Sequence, residues 1–294
     1  MSFLLILLDG VGVGENDPER NPFARLPSRY FPRRGVKISP PFGGIVRQID
    51  ASLSMPGSPQ SATGQTSILT GINASKAIGK HLSGLPNREL MEIIAEYNIL
   101  KLLKERGKRV AFANAYRPDF FNRLMSRISV TTASSLASSL KFFTIEDINK
   151  GKAIYQDFTN RFLIRRGYPT SELTPEEAGI RLAEISSSYD FTLYEYFKTD
   201  IAGHRADLPA ACLLISELEG FLQSLLSRFD LERGTVAIIS DHGNLEDLSI
   251  KEHTENPVPL LAFGKEKKSL ISEVAALTDI TPTILNLLVN PENS

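Results

Sequence analysis

The run Thr235-Val236-Ala237-Ile238-Ile239-Ser240 is apolar and β-branched, and it passes directly into Asp241-His242-Gly243-Asn244. A strand of this kind, with no polar alternate face, belongs in a sheet covered on both sides, the parallel sheet of an α/β fold. Its C-terminal end is the edge at which open α/β sheets place their binding crevice. An oxygen ligand and an imidazole therefore arrive at that edge together, and Gly243 allows the chain to turn sharply as it leaves. For an isolated Asp-His pair, a helix cap and an ordinary loop hydrogen bond are the commoner outcome. The rest of the chain decides between that reading and metal chemistry.

The same pattern recurs. Phe3 to Leu8 reads as a first strand ending at Asp9-Gly10, too short and too poor in leading basic residues for a signal peptide. Asp9 to Pro59 is broken by Gly10, Gly12, Gly14, Pro18, Pro22, Pro27 and Pro32 and is expected to be an extended surface excursion. Gln60 to Thr70 before Gly71 suits a short helix with a glycine stop, and Arg88 to Arg106 has helical periodicity up to Gly107. A strand is expected over Arg109 to Ala115, and an irregular stretch from Arg117 to about Thr170 is the candidate insertion. Beyond it alternate a helix from Pro175 to Ser187, a strand from Phe191 to Phe197 and a helix from Leu208 to Phe229. After Thr235 to Ser240 come a strand from Val258 to Phe263 and a last helix starting near Thr281-Pro282. This order predicts a three-layer α/β/α sandwich with a mostly parallel sheet, in one catalytic domain over 1–294 with a small insertion at 117–170.

With 294 residues, 42% of them hydrophobic, the chain can bury a large core. A net charge of -1 gives no broad attraction to nucleic acid or anionic lipid, so a small ligand held by local groups is expected rather than a polymer. No run in the sequence reads as the roughly 20 apolar residues that cross a bilayer, and a cytoplasmic location is the default expectation. Cys212, the single cysteine, lies in an apolar helical run and is expected to be a buried apolar residue.

Candidate ligands gather after the predicted strands. Asp200 follows Phe191 to Phe197, His204 stands four residues on, and His253 precedes Val258 to Phe263. Carboxylate oxygen with imidazole nitrogen suits Zn²⁺ or Mn²⁺ better than Ca²⁺ or Mg²⁺. The fourth histidine, His81, has no such companion and is a candidate substrate contact. Ser61 sits where a loop becomes a helix. It is either a helix cap or a hydroxyl that a divalent ion and the helix dipole activate as a nucleophile.

Asp9-Gly10, Ser61-Ala62-Thr63-Gly64, Asp200-x-x-x-His204, Asp241-His242-Gly243-Asn244, His253-Thr254-x-Asn256-Pro257 and Thr278-Asp279-Ile280-Thr281-Pro282 occur in the order seen in the alkaline phosphatase superfamily. Within it, the chain resembles cofactor-independent phosphoglycerate mutases and phosphopentomutases. The resemblance implies two divalent ions, Mn or Zn, one held by Asp9, Ser61, Asp241 and His242 and the other by Asp200, His204 and His253. It makes Ser61 the phosphoryl acceptor, with Thr63 a weaker candidate near the substrate. Asn244 and Asn256 would orient ligands. In those mutases a large cap lies between the nucleophile and the second metal motif; here 117–170 is all that remains for one. Arg161, Arg165 and Arg166 in that stretch are candidates for gripping an anionic group.

The expected reaction is phosphoryl transfer on a small phosphorylated metabolite through a phosphoserine, as a phosphatase or a phosphomutase, with the oligomeric state open. The alternatives are a non-catalytic metal-binding scaffold or a hydrolase of the sulfatase or phosphodiesterase type. A sulfatase would want a Cys/Ser-x-Pro-x-Arg setting that the Ser61 region lacks.

Overall fold

Strand β1, Phe3–Leu8, is buried at every position and lies between two parallel partners in the middle of a six-stranded sheet. The computed structural model describes residues 1–120 and 127–289. In chain order, β1 is followed by helix α1 (Pro22–Arg25), strand β2 (Ile45–Ile49), and helices α2 (Ser61–Thr70), α3 (Ala74–Ile78), α4 (Arg88–Tyr97) and α5 (Ile99–Glu105). Strands β3 (Val110–Phe112) and β4 (Ala115–Tyr116), helix α6 (Val130–Ala137), strand β5 (Phe143–Thr144) and helices α7 (Ile145–Asn149) and α8 (Arg161–Arg165) come next. The last part holds α9 (Pro175–Ser187), β6 (Phe191–Tyr196), α10 (Lys198–Arg205), α11 (Leu208–Arg228), β7 (Thr235–Ser240), β8 (Val258–Gly264), α12 (Lys267–Glu273) and α13 (Ile280–Val289).

The main sheet runs β2-β8-β7-β1-β6-β3; β3, β6, β1 and β7 are parallel, and β8 is antiparallel to both its neighbours. Its two faces are covered by helices, so alternate residues of β1 enter different cores. Leu4, Ile6 and Leu8 pack with α1, α9 and α11, whereas Phe3, Leu5 and Leu7 pack with α2, α4, α5, α6, α12 and α13. This is the expected mostly parallel α/β/α sandwich. The register aligns Leu8 with Tyr196 on one side and with Ser240 on the other, so three parallel strands end level with one another. The antiparallel β8 begins at that same edge.

The stretch 9–59 is not the surface excursion its glycines and prolines predict. Val11, Val13, Phe23, Tyr30 and Phe31 are fully buried, and Ile45–Ile49 adds an edge strand beside β8. The long helix read over 88–106 is two: the Asn98 side chain accepts from Lys101 N at 3.0 Å and donates to Ile94 O at 2.8 Å, closing one helix and opening the next. Hydrophobic periodicity bridges that break because both helices bury their inner face in one core. The strand read over 109–115 leaves the main sheet after Phe112. Asn114 takes over the pairing through its amide, donating to Glu195 O at 2.8 Å and accepting from Glu195 N at 2.9 Å.

Within 117–170, α6 packs with α4 and α5 in the main core, while β4, β5, α7 and α8 surround a small cluster including Phe143, Ile148, Tyr155 and Leu163. Residues 121–126 of this stretch lie outside the described residues. Helix α11 is, by length and composition alone, apolar enough to cross a membrane. In this fold one side of it packs on α9 and the sheet through residues such as Ile215, Leu218, Leu222 and Leu225. Cys212 on this helix is partly exposed rather than buried.

Helices α9 and α11 approach closely at Gly179, where an added Cβ would stand 2.2 Å from Phe221 O and 2.8 Å from Leu225 N. Gly179→Ala is therefore expected to destabilise the fold. Overpacking against another backbone costs about 1–3 kcal/mol, which outweighs a helix-propensity gain of up to about 1 kcal/mol. Thermal denaturation should show a lower Tm; a raised Tm would mean the two helices part freely.

Candidate metal centre

Two groups of ligand-bearing side chains meet at the C-terminal edge of β1, β6 and β7. Asp9 and Asp241 directly follow β1 and β7, and His242 joins them. Asp200 and His204 stand one turn apart on α10, and His253 arrives from the loop that leads into the reversed strand β8. Within each trio the potential ligand atoms lie within 4.8 Å of one another.

In the first group His242 Nε2 is 3.0 Å from Asp9 Oδ1 and 3.8 Å from Asp241 Oδ1. Ser61, the first residue of α2, places its Oγ 2.9 Å from the same nitrogen and 3.4 Å from Asp9 Oδ1. In the second group His204 Nε2 is 3.3 Å from Asp200 Oδ2, His253 Nε2 is 3.4 Å from Asp200 Oδ1, and the two imidazole nitrogens are 3.3 Å apart. The His242 and His253 rings stack between the groups with centroids 3.8 Å apart. The other ring nitrogens meet carbonyls: His204 Nδ1 is 2.7 Å from Lys251 O, and His253 Nδ1 is 3.1 Å from Pro59 O. Nδ1 then carries the proton and Nε2 presents a lone pair to the cleft, the orientation of a metal-ligating histidine.

The electrostatics of the cluster call for added positive charge. Burial, with Asp9 beside it, raises the Asp241 carboxyl well above the usual carboxylate range. Burial opposes the His242 cation, but Asp241 and Asp9 outweigh it and push its pKa up to about 10. Burial likewise opposes the Asp200 carboxylate, yet His253, His242 and the Asn244 amide hold it at about 2. Both shifts of the first group retain protons on ligand atoms, and a divalent cation replaces those protons. Asp241 Oδ2 is buried and has no hydrogen-bond partner among the described residues, so its lone pairs are left for coordination. The donor set therefore fits divalent ions on both its chemistry and its unspent lone pair.

Gln65, Thr199 and Glu246, which the sequence did not single out, hold this arrangement together with Asn244, which it did. Gln65 donates to Asp9 Oδ2 at 3.3 Å, and Thr199 donates to the Asp9 carbonyl at 2.5 Å. Asn244 Nδ2 donates to Asp200 Oδ1 at 2.6 Å, tying the second group to the β7 loop. Glu246, fully enclosed, receives Gly12 N and Asn244 N on Oε2, both at 2.8 Å, and Thr254 Oγ1 and Asn256 Nδ2 on Oε1. One carboxylate thus fastens the loops carrying Asp9, Asp241-His242 and His253. Asn256 acts on Glu246 and Arg34 rather than on a ligand of the centre. The only sequence signal for this hub was the glycines against it: a Cβ on Gly12 or Gly243 would lie 2.2 or 2.3 Å from Glu246 Oε1.

The cleft at Ser61 and the second group has a volume of about 490 Å³ and is lined by Gln60, Ser61, Ser83, Gly84, Asp200, His204, Lys251, Glu252 and His253. The expected substrate contacts stand elsewhere. Thr63 is buried, donating to Gln60 O and accepting from Leu82 N as part of the α2 start. His81 is engaged by Ser75 Oγ and Met55 O. Arg161 is paired with Glu172 and Glu217, and Arg165 lines a different cavity. Arg166 stacks over Phe162. Guanidinium groups suited to anions let the three arginines read as substrate ligands, but which face of the fold they occupy is a tertiary property.

Residues 170–291 match the Metalloenzyme superfamily. The 2,3-bisphosphoglycerate-independent phosphoglycerate mutase of Paracoccus denitrificans is 30% identical over 154 residues, 48% of this chain and 30% of the mutase. The enzyme of the same name from Desulforudis audaxviator is 32% identical over 134 residues, 42% of this chain and 26% of that protein. The matched part thus spans about a third or less of the length of those mutases. Among solved structures, the alkaline phosphatase of the Antarctic bacterium TAB5 superposes with a TM-score of 0.54 at 14% identity, covering 98% of this chain and 97% of that one. A Pyrococcus horikoshii protein gives 0.57 at 15% identity with the same coverage. Residues 170–291 are thus similar to the Metalloenzyme superfamily, and the chain as a whole has an alkaline phosphatase-like fold. Over the matched part its sequence resembles the cofactor-independent phosphoglycerate mutases.

Metal removal has a direct consequence. At a free ion concentration about 100 times the dissociation constant, each site adds about 2.7 kcal/mol to folding stability. Dialysis against a chelator is expected to lower Tm by several degrees, and Mn²⁺ or Zn²⁺ should restore it. A Tm indifferent to both treatments would exclude the two groups as metal sites.

Proposed function

We propose that this metal-dependent phosphoryl-transfer protein is a phosphatase: it hydrolyses a small phosphomonoester through a phosphoserine at Ser61. The observation that carries this reading is the position of Ser61 Oγ, at the head of α2 and 2.9 Å from His242 Nε2 of the first group, in a cleft lined by Asp200, His204 and His253 of the second. Asp9, Asp241, His242 and Ser61 would hold one ion and Asp200, His204 and His253 the other, with Mn²⁺ or Zn²⁺ suited to both. Such ions, when bound, neutralise phosphate oxygens and favour the alkoxide of a coordinated serine.

The residues then divide the work. The N-terminal end of α2 directs its positive dipole at the incoming phosphate. Ser61 Oγ, its proton given up to solvent at the open mouth of the cleft, attacks phosphorus in line, the bond to the leaving oxygen breaks, and the released alkoxide takes a proton from solvent there. Water attacks the phosphoserine in turn, freeing phosphate and returning the hydroxyl. The His204 and His253 rings keep their orientation throughout because their Nδ1 protons are engaged by Lys251 O and Pro59 O.

Hydrolysis is favoured over mutase chemistry because, among the described residues, none that lines the cleft comes from 117–170, where a small cap was expected. A mutase must hold its intermediate away from water before phosphate returns to it. The test is 31P NMR of the manganese-loaded protein with 3-phosphoglycerate and with 4-nitrophenyl phosphate. Free phosphate should accumulate from one or both; 2-phosphoglycerate formed without free phosphate would overturn the phosphatase reading in favour of a mutase.

A further inference from the structure

Helix α10 has a second face. Asp200 and His204 point to the metal cleft, whereas Lys198, Ile201, Ala202 and Arg205, at helical spacing, line a separate cavity of about 510 Å³ between α8, α10 and α11. Among the described residues, none that lines this cavity also lines the metal cleft. Its charges do not balance. Asp157 accepts from Asn160 N at 2.9 Å and from Phe162 N at 2.8 Å, and its one charge faces both Lys198 and Arg165. Glu217 is paired with Arg161, and Asp207 caps α11 by accepting from Ala210 N at 3.0 Å. The cations fare differently. Among the described residues, Lys198, Arg165 and Arg205 have neither a hydrogen bond nor an ion pair.

Lys198 is the telling member. It is partly buried, and among the described residues no hydrogen bond or ion pair takes up its ammonium. An ammonium withdrawn from water with three unspent donors is costly unless an anion completes it. Beside these cations, Phe162, Phe197, Ile201 and Leu213 offer apolar surface, with Leu213 63% exposed. Cations at one side and aromatic and aliphatic groups at the other match a ligand with an anionic head and an apolar body.

We infer that this cavity is a second binding site, separate from the metal centre, for a small organophosphate or organophosphonate dianion with an aromatic or aliphatic body. Lys198, Arg165 and Arg205 hold the head group, and Phe162, Phe197 and Leu213 hold the body. The site does not depend on Ser61 or on the metal ligands.

Phenylphosphonate, which cannot be hydrolysed at phosphorus–carbon by this chemistry, is the probe. Isothermal titration calorimetry is run on the manganese-loaded protein, on Lys198→Met/Arg205→Gln, on His204→Ala, and on Lys76→Met/Arg88→Gln as a charge-matched control on another surface. The expected result is a saturable event that the cavity double substitution weakens by about 10- to 100-fold, the loss of one or two charge-assisted hydrogen bonds. That event should persist in His204→Ala and in the control, and 4-nitrophenyl phosphate hydrolysis by the cavity variant should stay near wild type. Binding unchanged in the cavity variant, binding lost equally in the control, or binding abolished by His204→Ala would each overturn the inference. Failure of hydrolysis in every protein would instead count against the phosphatase reading alone.

Discussion

Ser61→Ala is expected to reduce kcat for 4-nitrophenyl phosphate hydrolysis by about 10⁴-fold or more, the scale seen when a covalent nucleophile is removed. The change deletes one oxygen and little else. Ser61 stands at the first position of α2, where its side chain caps nothing: Gln60 occupies the cap position, and the Ser61 hydroxyl interacts with His242 and Asp9. Metal affinity should fall only modestly, because Asp9, Asp241 and His242 remain, and the circular dichroism spectrum should match wild type. In wild type, acid quenching during turnover should trap a phosphoserine visible by mass spectrometry, and the variant should show none. Equal turnover in the two proteins would remove Ser61 from the mechanism, and a water attacking phosphorus directly would take its place.

Glu246→Gln is the second large effect, although Glu246 touches no phosphate and no proposed ligand. All four of its partners are donors, Gly12 N, Asn244 N, Asn256 Nδ2 and Thr254 Oγ1, and only a carboxylate accepts from all of them. Glutamine keeps the shape but turns an NH₂ group toward two N–H donors or toward the Asn256 and Thr254 donors. Leaving two such buried donors unsatisfied costs about 1–3 kcal/mol each, so a Tm drop on the order of 10 °C is expected at about 2–4 °C per kcal/mol. The strain falls on the Asn244 and Thr254 loops, which carry the Asp200 partner and His253. Affinity for Mn²⁺ at the Asp200-His204-His253 group should therefore weaken by about 10- to 100-fold, as for other outer partners of metal ligands. Calorimetric titration of Mn²⁺ measures this separately from turnover. A variant with wild-type Tm and wild-type metal affinity would show that the four donors find other acceptors.

Strand-edge chemistry was legible because the determinants are local. Thr235 to Ser240 and Phe3 to Leu8 are apolar on both faces, which calls for a covered parallel sheet, and the polar residue that ends each run must emerge at the sheet edge. That is why Asp9 and Asp241 could be placed together. Glu246 was not legible, since an isolated glutamate in a loop reads as solvated charge. Its burial depends on donors from Gly12, 234 positions away in sequence. The Gly12 and Gly14 turns were misread for the same reason: glycine there serves close approach to Glu246 rather than exposure.

From the sequence alone came the α/β order, the strand ends that carry Asp9, Asp200 and Asp241, and the superfamily pattern, since each depends on residue type and spacing within a few positions. Only the tertiary structure decided that β8 runs backwards and so delivers His253 to the same edge, and that Ser61 rather than Thr63 faces the cluster. It also decided that Arg161, Arg165 and Arg166 lie away from the metal cleft. Strand direction and the facing of a side chain are set by packing between distant segments, which no local pattern encodes.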